Sequence, residues 1–347
     1  MKALTIERPG QLVLRDIPIP ECGARDVLIK VAGCGICMSD LEAIDGTRPE
    51  PYIKYPVVLG HEFSGIVERC GGDVEDLRPG DRVTVKPIPH CGRCKHCRRG
   101  EDGYCLEDRR EHVEIGFTRS GGFAEYVVAR ESQVFTLPDS VSLELGSLAE
   151  PGACVWTGVN ATRPFLDDVV AVIGPGPIGL LAVNFYKGLG IRRIVIVGTR
   201  DERNQLAMEL GATDAVNVFK ENALQRLRDL SGGQGPDVVF ESGGKPDAVR
   251  LALDAVRLGG AVALAGVAGV GARMELDCDY FVFRAIRLFG VLGYTARTFL
   301  QSLTMLDLYG TELQKLITHR FPLEDYEKAF QVVRERREAV MKAIIVP

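Results

Sequence analysis

The sequence predicts an α/β protein with a mostly-β first part and a doubly wound parallel sheet in its second half. Three observations predict it. Before residue 150, apolar residues alternate along short runs such as Val27, Ile29, Val31 and Val83, Val85, with turn signals such as Pro79-Gly80-Asp81 between them. From Asp168 onward, short apolar runs alternate with helical segments. The first of those runs ends in a glycine-rich turn that opens a helix.

In the second half, strands are expected at Val169–Ile173, Ile194–Val197, Asp237–Phe240, Ala261–Ala265 and near Ile286–Val291. The helices between them are expected at Ile178–Lys187, Glu202–Leu210, Ala223–Leu230 and Asp247–Leu258. A helical segment Leu323–Arg334 and a strand Met341–Val346 form the tail. A chain of 347 residues suits two domains better than one core. With 46% hydrophobic and 26% charged residues it has the balance of a soluble globular protein. Its net charge of −5 offers no attraction to nucleic acid or to an anionic membrane, and neither is expected as a partner. The N-terminus MKALTIERPG lacks the apolar core of an export signal, so a cytoplasmic location is expected. The most apolar stretch, Val169 to Phe185, is interrupted by Gly174, Pro175, Gly176 and Pro177 and is too short to span a bilayer.

The turn reads Gly174-Pro175-Gly176-Pro177-Ile178-Gly179 between an apolar strand and a helix. In that setting it points to a dinucleotide. Gly174 permits the tight turn, Gly176 lets the backbone approach a pyrophosphate, and Gly179 lets helix and strand pack closely. The helix start supplies free N–H groups and partial positive charge. The end of the second strand selects the cofactor. An acidic residue there would bond the ribose 2′-hydroxyl of NAD. The chain instead reads Gly198-Thr199-Arg200, which leaves room for a 2′-phosphate and offers it a guanidinium. This favours NADP; NAD is the alternative, with Asp201 in the hydroxyl-binding role.

Cys91, Cys94, Cys97 and Cys105 form a C-x2-C-x2-C-x7-C cluster. Four thiolates from one short loop suit a closed, tetrahedral structural zinc. An iron–sulfur cluster or a nucleic-acid-binding zinc ribbon are the competing uses of the same ligands. His90 and His96 are read as solvated loop residues, since the thiolates already fill the shell. Elsewhere Cys37 lies in Gly33-Cys-Gly-Ile-Cys-Met-Ser-Asp40, His61 in Gly60-His-Glu-Phe-Ser-Gly65, and Glu150 before Pro151. A Cys, a His and a carboxylate would leave a fourth zinc position open, as a catalytic zinc needs. Spacing alone does not assemble residues so far apart.

Over essentially its full length the chain resembles the zinc-containing medium-chain dehydrogenase/reductase family. The landmarks are GICMSD, GHEFSG, PGDRV, the four-cysteine lobe, GGFAEYV (Gly121–Val127), AEP (Ala149–Pro151) and the glycine-rich turn, in the family's order. The resemblance implies a GroES-like catalytic domain built from residues 1–153 and 292–347, carrying a structural zinc lobe at about 88–110, and a Rossmann domain at 154–291. It implies two zincs per chain, a nicotinamide cofactor, a small alcohol or ketone substrate and a homodimer or homotetramer. By the same resemblance Cys37, His61 and Glu150 ligate the catalytic zinc, and Glu62 is the neighbouring carboxylate that enters or leaves the shell. Ser39 receives the substrate proton, and Asp40 orients His61. At the third ligand the family branches. Cys154 is the rival to Glu150, and the Glu-Pro dipeptide matches the polyol and secondary-alcohol branch.

Two positions depart from the family. Glu42 stands where many members have a proton-relaying His. An Arg that helps bind polyols in relatives is absent from Val291-Leu-Gly293-Tyr294, which points to a less hydroxylated alcohol. The expected activity is oxidation of a secondary alcohol or polyol to the ketone, or the reverse. A zinc-independent quinone or enoyl reductase of the same fold, and a non-catalytic zinc- or cofactor-binding protein, are the alternatives.

Overall fold

In the computed structural model, residues 1–336 and 339–347 are described, and they divide into two compact units: Met1–Pro151 with Thr295–Pro347, and Gly152–Tyr294. The first unit opens with β1 (Lys2–Arg8), β2 (Gln11–Asp16), β3 (Asp26–Gly35), β4 (Val57–Val58), β5 (Glu62–Cys70), β6 (Arg82–Val85), β7 (Tyr126–Arg130) and β8 (Val134–Thr136). The second holds β9 (Val169–Ile173), β10 (Arg193–Gly198), β11 (Asp214–Asn217), β12 (Val238–Glu241), β13 (Ala261–Leu264) and β14 (Arg287–Gly290). The chain returns to the first unit for β15 (Ile317–Pro322) and β16 (Lys342–Val346).

Val27, Ile29 and Val31 enter the core of the first unit with Phe63, Phe123 and Phe330, while Leu28 between them is buried as well and Lys30 is exposed. β3 is the organising strand of that unit. It pairs antiparallel with β5, β7 and β16, inside a sheet ordered β15-β16-β3-β5-β6-β8. The β3–β5 register sets Gly35 opposite Glu62 and Cys34 opposite Phe63. It therefore brings the turn after β3 beside the turn before β5.

The second unit is a parallel sheet ordered β11-β10-β9-β12-β13-β14. Numbered within the unit, the order is 3-2-1-4-5-6, the doubly wound dinucleotide arrangement with its switch point between β9 and β12. Its inner strands β9, β10 and β12 are buried on both faces, which explains their unbroken apolar runs. The helix expected to run to Leu258 ends at Ala255, because Val256 turns to ψ 140° and the chain enters the Gly259-Gly260 turn before β13. Leu258 is consequently exposed. The short strand β11, the helix Ala296–Leu313 and β15 carry no periodic signal strong enough to have been expected from sequence. No helix among the described residues is long and apolar enough to cross a membrane.

Candidate active site

Cys37 is the N-cap of the helix Met38–Asp45, two residues beyond β3, and His61 and Glu62 stand at the start of β5. The β3–β5 register makes these segments neighbours, and the ligand atoms of Cys37, His61 and Glu62 lie within 4.8 Å of one another. His61 and Glu62 are buried and Cys37 is half-buried.

Asp40 holds this group together. Its carboxylate is wholly buried in the first turn of the helix. Oδ2 accepts the Cys37 backbone N–H at 2.8 Å. Oδ1 faces His61 Nδ1 at 3.6 Å, an ion-pair distance longer than a hydrogen bond. Burial works against a charge on His61, and the Asp40 carboxylate more than offsets it, lifting the imidazole well above its usual pKa. The Phe117 ring packs on His61 with centroids 4.9 Å apart. Asp40 Oδ1 and His61 Nδ1 are both buried without a hydrogen-bond partner. Buried polar atoms in that state are costly unless something compensates them. A soft thiolate, an imidazole and a carboxylate converging in one place form a donor set that fits zinc.

One residue of the site is not apparent from sequence reasoning. Lys342 in β16 is buried; its ammonium pairs with Glu62 Oε2 and donates to the Ile36 carbonyl at 3.2 Å. Burial opposes its charge, but Glu62 and then Cys37 raise its pKa above the ordinary lysine value. Its sequence signal is a lone cation in the apolar run Met341-Lys342-Ala343-Ile344-Ile345-Val346. Space explains Gly35 here: a Cβ at that position would collide with Glu62 Oε2 and come within 3.0 Å of Lys342 Cε. Glu150 is buried at the start of the helix Ala149–Thr162 and outside the three-residue cluster, yet near enough that its charge acts on Lys342. Cys154 follows one turn along that helix. Ser39 and Glu42 are half-buried on the helix Met38–Asp45, three residues apart and so on one face.

The four lobe cysteines also converge within 4.8 Å. Cys94 Sγ and Cys97 Sγ are 3.5 Å apart, and Cys91 Sγ and Cys97 Sγ 3.9 Å. Four sulfurs each at ~2.3 Å from a tetrahedral zinc would stand about 3.8 Å apart, so these spacings fit the metal and are far too long for disulfides. Backbone N–H groups of Cys97 and Leu106 lower the Cys94 thiol to about 6, which favours a thiolate. His96 pairs with Glu101 at 2.9 Å, and His90 Nδ1 stands 4.0 Å from Asp102, too far for a hydrogen bond; neither belongs to the four-sulfur cluster. The lobe is fastened to its unit by Asp102, which contacts the buried Lys86 at 3.2 Å and accepts the Ala296 N–H at 2.9 Å.

In the second unit Gly174 adopts φ +99°, where a Cβ would come within 2.6 Å of Gly243 N. A Cβ on Gly179 would collide with the Gly174 carbonyl. Gly176 caps the helix Pro177–Gly188, whose first residue is Pro177. Gly198 ends β10 and is buried, while Thr199 and Arg200 are exposed.

Residues 23–139 match the alcohol dehydrogenase GroES-like domain, and residues 177–307 match the zinc-binding dehydrogenase domain. The chain is 34% identical over 339 residues to an L-threonine 3-dehydrogenase of Anaeromyxobacter sp. (strain Fw109-5), covering 96% of each chain. The chain belongs to the zinc-containing medium-chain dehydrogenase/reductase family. Among solved structures it is similar to a zinc-binding dehydrogenase of Sinorhizobium meliloti 1021 bound to NADP (TM-score 0.91, 31% identity, covering 100% of this chain and 99% of that one). It is also similar to 2R,3R-butanediol dehydrogenase of Bacillus subtilis (TM-score 0.88, 31% identity, the same coverage). This member of the family is a zinc-type, NAD(P)-dependent dehydrogenase acting on CH–OH donors. The zinc-independent and non-catalytic alternatives are thereby set aside.

Because the lobe has little apolar content, removing one sulfur should leave it unsupported. Cys94→Ser is expected to lower the metal content and the melting temperature while the Cys37–His61 site still binds metal; full metal content and an unchanged melting curve would show that the lobe does not depend on its sulfurs.

Proposed function

We propose that this dehydrogenase interconverts a secondary alcohol or less hydroxylated polyol and its ketone, with NADP as preferred cofactor and two zincs per chain. The observation that carries this reading is the convergence of Cys37, His61 and Glu62 on one buried point, backed by Asp40. The named substrates of two relatives, L-threonine and 2R,3R-butanediol, both carry a secondary hydroxyl. Cys37, His61 and a carboxylate hold the catalytic zinc, with Glu150 as the third ligand and Glu62 held back by its pairing with Lys342. The four lobe cysteines hold the structural zinc. A zinc at the catalytic position supplies Lewis acidity, which lowers the pKa of an alcohol.

The chain's own groups do the rest. Asp40 fixes the direction of His61 and of the Cys37 backbone, so the site is preorganised. Ser39 accepts the proton leaving the alcohol, and Glu42, one turn further along the same face, passes it toward solvent. The thiol inventory suits a reducing cytoplasm: four of the ten cysteines converge at metal-ligand rather than disulfide spacing.

The experiment is a panel of alcohols, polyols and ketones with NAD(H) and NADP(H), run on wild type and Ser39→Ala. Secondary alcohols should lead the panel, and Ser39→Ala should retain metal while kcat falls by a factor of about 10²–10⁴. A variant with wild-type kcat and rate-limiting hydride transfer would remove Ser39 from the relay.

Two observations support the NADP preference. Asp201, the rival partner for a 2′-hydroxyl, is already bonded to Asn217 at 2.7 Å and Lys220 at 2.5 Å. At Gly198 a Cβ would collide with Asn204 Oδ1 and reach within 2.5 Å of Pro175 Cγ, so an acidic side chain does not fit there without displacing both. Arg200→Ala should therefore reduce kcat/KM for NADP about ten- to a hundredfold, the range of a charge-assisted hydrogen bond, and leave NAD little changed. Equal kinetics with NADP before and after the change would make Arg200 a surface charge only.

The dimer we favour forms through β14. Among the described residues this strand pairs only with β13, which leaves its other edge open, and Leu288, Val282 and Phe283 beside it are exposed. An open, apolar edge invites pairing with a second copy. Phe283→Asp with Leu288→Lys should shift the wild-type dimer to monomer in sedimentation velocity; an unaltered dimer would place the interface elsewhere.

A further inference from the structure

The turn Gly174–Gly179 has few groups with which to hold an anion. Pro175 and Pro177 carry no N–H. The Gly174 N–H is spent on the Val197 carbonyl, that of Gly176 on the Gly174 carbonyl and that of Leu180 on the Gly176 carbonyl, each at 2.9 Å. Ile178 and Gly179 keep N–H groups with no acceptor among the described residues. Recognition of a pyrophosphate by this backbone thus rests on two donors, and their direction follows the peptide planes of the turn.

The first peptides of the turn are held from outside it. Ser242 is the first residue after β12. Its N–H donates to the Ile173 carbonyl at 2.8 Å, and its hydroxyl is 3.0 Å from that oxygen and 2.9 Å from the Gly174 carbonyl. One hydroxyl hydrogen is shared between the last carbonyl of β9 and the first carbonyl of the turn. The same oxygen would lie 2.8 Å from a Cβ on Gly179, so it fills the space that glycine leaves. The adjacent Glu241 anchors Ser242 from the other side. Its buried carboxylate accepts the Gly244 N–H at 2.8 Å, and its main-chain carbonyl accepts those of Ala265 at 2.8 Å and Gly266 at 3.1 Å. Residues 241–242 therefore join the ends of β9, β12 and β13 at the switch point.

We propose that Ser242 is a positioning residue for the dinucleotide: its hydroxyl holds the Gly174 carbonyl, both oxygens pack against Gly179, and the helix start that carries the Ile178 and Gly179 N–H groups is thereby seated before the pyrophosphate arrives. The proposal rests on the reading that this turn binds the cofactor. Ser242 touches no reacting atom. Its contribution is preorganisation, which raises affinity by reducing the ordering left to the binding step.

The test is fluorescence titration of the zinc-replete enzyme with NADPH and with NADH, for wild type, Ser242→Ala and Ser242→Thr. Ser242→Ala should weaken both cofactors about tenfold, the scale of one or two lost hydrogen bonds, because both share the pyrophosphate. The kcat at saturating cofactor should stay within about twofold, and Ser242→Thr should restore the affinity. A common loss separates this role from that of Arg200, which should discriminate between the cofactors. Ser242→Ala with wild-type affinity, a fall in kcat without a fall in affinity, or no rescue by Ser242→Thr would each overturn the proposal. Failure of the wild type to bind either dinucleotide would overturn the cofactor reading itself, a separate result.

Discussion

Gly35 of β3 lies opposite Glu62 of β5, and the chemistry of the first unit depends on that register. Cys37 and His61 are far apart in sequence and reach one another because each sits just past the end of a paired strand. A slip of one residue would reverse which side chains of β5 face the core. It would then send Phe63, wholly buried, outward and separate the metal-binding donors. The packing of Phe63 with Phe123 and Val27 therefore also fixes the site geometry. The small residues around the junction serve the same register, with Gly35 leaving room for Glu62 and Lys342.

That register also concentrates charge. Asp40, His61, Glu62, Glu150 and Lys342 are all buried. Burying charges is expensive unless each is paired and hydrogen-bonded. Lys342 neutralises Glu62, and Asp40 uses one oxygen on a backbone N–H while directing the other at His61. Asp40 Oδ1 and His61 Nδ1 face each other at 3.6 Å without a hydrogen bond, while the ligand atoms of Cys37, His61 and Glu62 converge within 4.8 Å, a donor set that suits a cation.

The second unit solves a different problem with backbone. Its sheet order places the switch point between β9 and β12, and there the chain approaches itself so closely that Gly174 and Gly179 admit no side chain. The close approach leaves the Ile178 and Gly179 N–H groups of the helix start without an acceptor among the described residues. After β10, Thr199 and Arg200 are exposed beyond the buried Gly198.

Much of this was legible in the sequence, where local spacing decides geometry. The lobe cysteines lie within fifteen residues, so the loop that carries them brings their sulfurs together. The glycine-rich turn announces its conformation because only glycine occupies its tight positions. The inner strands of the second unit show themselves as apolar runs because both of their faces are buried. Cys37, His61 and Glu150 could be grouped in advance only through resemblance to a family, since no local rule links residues on different strands. Tertiary structure alone decided that Lys342, near the end of the chain, neutralises Glu62, and that Asp40 serves Cys37 and His61 at once. It alone placed the Ser242 hydroxyl against the turn of another strand. Those contacts follow from sheet order and register, which arise from the packing of the whole unit, whereas a lone buried lysine or a serine after a strand looks in sequence like any other.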